Sequence, residues 1–168
     1  MTYRPKNNSK KEKLLAIICA SVAIVLYFLS GIVHHFPVLY QVTAIIMGVV
    51  SIEIYLKYVG SDYVYEAAEK SLKIHRITGK KSVCVGSLDY EMSRSLLIKS
   101  SEYLGNKDKY PKYNFNVNYA KNLSPKEYYV YFFDFNEKVC MAKFEPDEVF
   151  AQYVNEKISV YLNSNNDE

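Results

Sequence analysis

"SGIVHHFPVLY", residues 30–40, decides the fold. One long apolar run leads into it and a second leads out. "LLAIICASVAIVLYFLSGIV" (14–33) carries no charge, and "PVLYQVTAIIMGVVSIEIYL" (37–56) carries one, Glu53. About 20 apolar residues at a helical rise of 1.5 Å span a hydrocarbon core of about 30 Å, so each run alone matches a bilayer. A single helix through both would overshoot it. The junction breaks such a helix: Pro37 has no amide donor and disfavours helical backbone at Phe36, and His34 and His35 are at home at a water interface. Two transmembrane helices, 14–33 and 38–57, joined by a short extracytoplasmic turn, 34–37, are therefore predicted. A signal peptide is the weaker reading, because its apolar region is usually 7–15 residues and ends in a small-residue cleavage site. So is a soluble hairpin, which would give each helix a polar face.

Charge orients the hairpin. Arg4, Lys6, Lys10, Lys11 and Lys13 precede the first run against one acid, Glu12. The turn has no Lys or Arg, and Lys57 follows the second run. Cationic flanks stay on the cytoplasmic side, which predicts cytoplasmic termini and an extracytoplasmic turn. From Tyr58 onward, 15 Lys+Arg face 16 Asp+Glu, so the excess of cations over the whole chain sits beside the spans. That distribution suits membrane topology and argues against nucleic acid as a partner. The localisation expected is a bacterial inner membrane, and the Tyr-, Lys-, Ile- and Asn-rich, Trp-free composition fits an AT-rich genome.

Residues 1–13 read as a disordered basic tail and 164–168 as a second tail. Between them, 60–163 is long enough for its own core. "DYVYEAAE" (62–69), "SLKIHRIT" (71–78), "SVCVGSL" (82–88), "MSRSLLIKS" (92–100), "YNFNVNY" (113–119), "EYYVYFFDFN" (127–136) and "KVCMAKF" (138–144) carry strand signals. "SEYLGNKDKYPK" (101–112) reads as a loop. Gly79 suits a turn that needs positive φ, and Asn136-Glu137 reads as a short turn. "EPDEVFAQYVNEKISVYL" starts with Pro146 and acids at Asp147 and Glu148, then repeats apolar residues every three or four positions. A helix over 147–162 is predicted.

About seven antiparallel strands followed by one amphipathic helix resembles the pleckstrin-homology-like fold, a bent barrel open at one corner and plugged there by its C-terminal helix. The turn "TGKK" (78–81) and "KFEPDEVF" (143–150), entering the last helix, carry the likeness. With the two spans ahead of it, the chain resembles small bacterial membrane proteins with a cytoplasmic pleckstrin-homology-like domain. The fold class so implied is a membrane α-helical hairpin plus an α+β, mainly β, domain. The family carries no catalytic motif. Phosphoinositide-binding members place several basic residues around the first hairpin loop, whereas Ala67-Ala68-Glu69-Lys70 here offers one Lys beside one Glu.

Several residue groups are candidates for function, each with a plainer alternative. Lys70, Lys73, Arg76, Lys80 and Lys81 form a basic run that either faces anionic lipid or is a solvated strand and turn. Glu53 is the one ionisable residue inside a span. It serves helix association or transport, or it pairs on one helix face with Lys57, four residues on. His34-His35 lacks a third ligand and, as adjacent residues, shares no helix face, so no metal site is expected. The Asn face of 113–119 and the aromatic strand 127–136 offer a peptide-binding edge or simply a core with a polar exterior. Cys19, Cys84 and Cys140 match no zinc spacing and no disulfide framework. No phosphate loop, metal signature or nucleophile elbow is present, so no catalytic residues and no cofactor are expected. The function predicted is a non-enzymatic membrane-anchored adaptor with a protein partner. The alternatives are an anionic-lipid sensor acting through 70–81, and a small subunit of an oligomeric channel or transporter resting on Glu53 and on homo-oligomerisation.

Overall fold

A computed structural model describes residues 1–6, 8–33 and 36–164. His34, His35 and the 165–168 tail lie outside the described residues. The chain divides into two compact units, 7–61, and 1–6 together with 62–168.

The first unit is a helical hairpin. Helix α1 (Lys10–Ile32) and helix α2 (Pro37–Ile54), the latter continued by a π-helical segment over Tyr55–Val59, are each long and apolar enough to cross a membrane. Pro37 occupies the first turn of α2, where its missing N–H costs nothing, and Phe36 before it takes left-handed backbone at φ 59°. Shielded positions on α1 step by three and four: Ala16, Cys19, Ala23, Leu26 and Ser30. On α2 they are Tyr40, Ala44, Met47, Ser51 and Ile54. That is the seam along which the two helices pack, and its small residues let the backbones approach. The Ser51 hydroxyl crosses the seam and donates to the Ala16 carbonyl at 2.8 Å. Outside the seam, large apolar side chains such as Ile17, Ile24, Phe28, Ile45 and Ile52 are exposed.

The second unit corrects the reading of the N-terminus. Thr2–Tyr3 is not part of a disordered tail but a strand, β1, paired antiparallel with β2 (Ser61–Ala67) through Thr2↔Glu66 and Tyr3↔Tyr65. The whole helical hairpin is thus an insertion between two adjacent strands of one sheet. Tyr3 has its ring stacked 6.3 Å from Tyr65 and tilted 5.8 Å from Phe150. Arg4 and Lys121 both reach the Asp62 carboxylate, at 2.5 and 3.4 Å. Burial works to raise that carboxyl, and the two cations outweigh it and hold it below the usual range.

The first sheet continues with β3 (Ser71–Thr78) and β4 (Lys81–Asp89) in the order β1-β2-β3-β4. Gly79 turns the β3–β4 hairpin at φ 60°. The second sheet has the order β5-β7-β8-β6, with β5 (Ile98–Lys99), β6 (Phe115–Asn118), β7 (Tyr129–Phe135) and β8 (Lys138–Phe144); helix α3 (Ser100–Gly105) follows β5. Asn136 and Glu137, at φ 49° and 61°, make the tight turn between β7 and β8 that matches strand twist.

Three expectations change. The strand read over 92–100 shrinks to Ile98–Lys99, and the loop read over 101–112 contains α3. The strand β6 is parallel to β8, not antiparallel. It precedes the β7–β8 hairpin and lies against the second strand of that hairpin. The return segment 119–128 then fixes its direction. The two sheets also form no closed barrel, since β4 and β6 each end a sheet without a strand beyond them among the described residues.

Strand β7 is buried on both faces. Tyr129, Tyr131 and Phe133 enter the main core with Tyr65, Leu72 and Ile74, whereas Val130 and Phe132 pack with Ile98 and Met141 beneath Tyr103 and Tyr110. The last helix, α4 (Glu148–Ser164), sets Phe150, Val154 and Ile158 into the main core at a spacing of four. Asp147 caps it, its carboxylate accepting from the Phe150 N–H at 2.8 Å. Asn155 ties it to the second sheet by accepting from the Leu97 N–H at 2.7 Å.

Three buried phenols make this core sensitive to alkali. Burial raises Tyr65, Tyr90 and Tyr131, the last to about 12, although the Ser93 hydroxyl 2.5 Å from its oxygen works the other way. Above the ordinary value of 10.0 the unfolded chain releases these protons while the folded chain keeps them. The unfolded state is then favoured as pH rises. Stability is expected to fall between about pH 10 and 12 by about 1.4 kcal/mol per pH unit for each such phenol. Melting midpoints recorded together with tyrosinate absorbance check this, and Tyr131→Phe should flatten the slope.

Candidate functional site

The gap that keeps the two sheets from closing is a groove of about 670 Å³, a size typical of ligand and peptide sites. One wall is β4 from Val85 to Leu88, the outer strand of the first sheet, and the other is β6, the outer strand of the second. Outer strands keep one row of backbone N–H and C=O groups without a partner strand, and here two such strands border one space. The floor includes Phe133 and Cys140, both buried. Phe115 and Phe135, 54% and 58% exposed, stand among the lining residues as apolar surface left uncovered by the described residues.

Local sequence explains both walls. The β3–β4 register steps from Ile74↔Gly86 to His75↔Cys84, so Val85 is the extra residue of a bulge. A bulge bends its strand and re-aims its side chains. Gly86 beside it permits a close approach: a Cβ there would meet the Tyr119 hydroxyl at 2.7 Å. That hydroxyl donates to the Val85 carbonyl in a long 3.4 Å contact, so one tyrosine side chain, extending from the end of β6, spans the gap to β4. Burial raises the Tyr119 phenol, which stays a neutral donor at physiological pH. Among the described residues Lys138 is the one charged side chain lining the groove, with its ammonium 5.3 Å from the centroid of the Phe115 ring.

The groove takes in part of each stretch singled out as a candidate edge. Within 113–119, Phe115, Asn116, Val117 and Tyr119 line the groove. Tyr113 and Phe115, which alternate with the asparagines of this stretch, are exposed. Of the aromatic strand, only its end, Phe133 and Phe135, takes part. Lys138 and the β4 wall were not anticipated. A lone Gly inside an apolar strand, Gly86, was the available signal, since it marks a bulge or a close backbone approach.

The other candidates are dispersed. Lys70, Lys73, Arg76, Lys80 and Lys81 are all exposed. However, Lys73 and Arg76 lie three residues apart on β3, which places them on opposite faces of the sheet. Glu53 is exposed on α2 and forms no ion pair with Lys57 among the described residues. The Lys57 ammonium instead sits 5.4 Å from the Tyr58 ring centroid. Cys84 is exposed and Cys19 and Cys140 are buried, all three as free thiols. Among the described residues no three potential metal ligands come together. No protein-family model, curated protein or solved structure matches the chain.

Proposed function

We propose that the chain is a non-enzymatic membrane adaptor, whose helical hairpin crosses the inner membrane of a bacterium and whose β-rich domain holds a protein partner in the cytoplasm. The observation that carries this reading is the groove between β4 and β6. A partner segment entering it as a strand gains main-chain hydrogen bonds from the edges and apolar burial from Phe115 and Phe135, the mode of recognition by strand addition. The topology has its own support. Pairing of β1 with β2 puts residues 1–6 in the same body as the domain, so both ends of the hairpin emerge on one side, the side that the cationic flank assigns to the cytoplasm. Two open sheets with a terminal helix seated in the core make the domain, in this reading, an unclosed relative of the pleckstrin-homology-like design.

The test uses the full chain in lipid nanodiscs, panned with random displayed peptides of about ten residues, the length of a long strand. Peptides enriched over empty nanodiscs should lose at least tenfold in affinity for the Phe115→Ala, Phe135→Ala double variant. Both rings are exposed, so the melting midpoint should hold. N-methylation of either alternate set of peptide amides should weaken binding, and of both sets abolish it, because each edge pairs with every second amide. Absence of any enriched peptide, or binding indifferent to both rings, overturns the adaptor reading.

A further inference from the structure

The two ends of the groove differ, and the difference specifies what lies in it. One end is closed and neutral, where Tyr119 reaches across to the Val85 carbonyl beside Gly86. Lys138, the lining cation, opposes Phe135 across the β7–β8 hairpin, next to its turn. Among the described residues no acidic side chain lines the groove. The Lys138 ammonium rests near the face of Phe115, a weak partner for a cation beside a carboxylate.

The walls exclude a purely hydrocarbon occupant. Both bounding strands lie at sheet edges, where the backbone groups that face away from the sheet have no partner strand among the described residues, and an acyl chain would strip such groups of water without replacing the hydrogen bonds. A peptide strand replaces them on both sides. The gap also suits one strand in width: at its closed end a single tyrosine side chain bridges the two edges, and neighbouring strands lie about 4.8 Å apart.

Resting on the adaptor reading, we infer that the occupant is an extended acidic segment of a protein partner. It lies between β4 and β6, points alternate apolar side chains at Phe133 and Cys140, and sets an Asp or Glu carboxylate against Lys138. Phe135 and Lys138 are exposed, so that end is an open rim and the partner chain runs on past it. The carboxylate therefore belongs to a side chain and not to a chain terminus.

The peptides selected on the full chain in neutral-lipid nanodiscs provide the probe. Enriched sequences should carry an Asp or Glu near one end of an alternating apolar stretch. Changing that acid to its amide should weaken binding about tenfold. Lys138→Glu should reject the acidic peptide and accept its Lys-substituted version, with an unchanged melting midpoint. Peptides that depend on Phe115 and Phe135 yet ignore Lys138→Glu overturn the acidic specificity and leave the adaptor reading standing. Failure to enrich any peptide overturns both, and so does oleate binding that is lost in the double phenylalanine variant.

Discussion

Phe150→Ala is expected to lower the stability of the β-rich domain by about 3–5 kcal/mol, the range for truncating a fully buried aromatic side chain. Phe150 is fully buried, with its ring centroid 5.8 Å from that of Tyr3 and 6.4 Å from that of Tyr65. It therefore loses its own burial and also removes the floor on which β1 rests. That strand holds its place with two paired residues, a pairing too short to persist without the Tyr3 ring in the core. A domain of this size has about 5–15 kcal/mol in total, so the variant should sit at or past the edge of folding. The expected readout on the full chain in detergent is a lower urea midpoint, together with fast hydrogen exchange at the backbone amides of β1 and β2. Val160→Ala, on the exposed face of the same helix, should change stability by less than about 0.5 kcal/mol. If Phe150→Ala behaves like Val160→Ala, α4 does not seat in the core and the architecture is wrong. Phe150→Leu, which keeps most of the volume, should recover much of the loss.

What was legible in the sequence follows from which signals are local. The two helices, their junction at Pro37 and the final helix with its Asp147 start declare themselves through composition and periodicity within one element. The turn at Gly79 does so through a residue that tolerates positive φ, and the one at Asn136-Glu137 through a polar break between two apolar strands. The centrality of β7 was legible for the same reason, since a strand buried on both faces is apolar at consecutive positions. The errors lie where a partner distant in sequence decides. Thr2–Tyr3 is too short to signal a strand and becomes one because Tyr65 and Glu66 receive it across the whole inserted hairpin. Period two over 113–119 announces a strand but not its neighbour, and β6 runs parallel to β8 only because of how 119–128 returns to β7. Half of the groove was visible as β6. Its other wall depended on a bulge whose one outward sign was Gly86, and its charge came from Lys138, one of many lysines until Phe115 was placed beside it.

Ile24→Arg should separate a membrane hairpin from a soluble one by the sign of its effect. Ile24 is 58% exposed near the middle of the first apolar run. On a soluble protein an exposed isoleucine exchanged for arginine changes stability by no more than about 0.5 kcal/mol and improves solubility. In a bilayer the same position faces hydrocarbon, and arginine at the centre of a span costs about 2.5–3.5 kcal/mol of insertion free energy, with the lost isoleucine contribution added to it. Since 1.4 kcal/mol is tenfold in an equilibrium, the inserted fraction relative to the uninserted one should fall by roughly a hundredfold. The measurement is the fraction of full-length chain that resists alkaline carbonate extraction from membranes. Two companions fix the interpretation. Lys11→Arg, before the apolar run, should leave extraction unchanged, because a cation at that end is what orients the hairpin. Ser51→Leu should leave insertion intact yet loosen the hairpin, since it removes the hydrogen bond to Ala16 and forces a large side chain into a seam built from small ones. An Ile24→Arg chain that is more soluble and no less stable would place the hairpin in water. The exposed isoleucines and phenylalanines along α1 and α2 would then need a protein cover, not lipid.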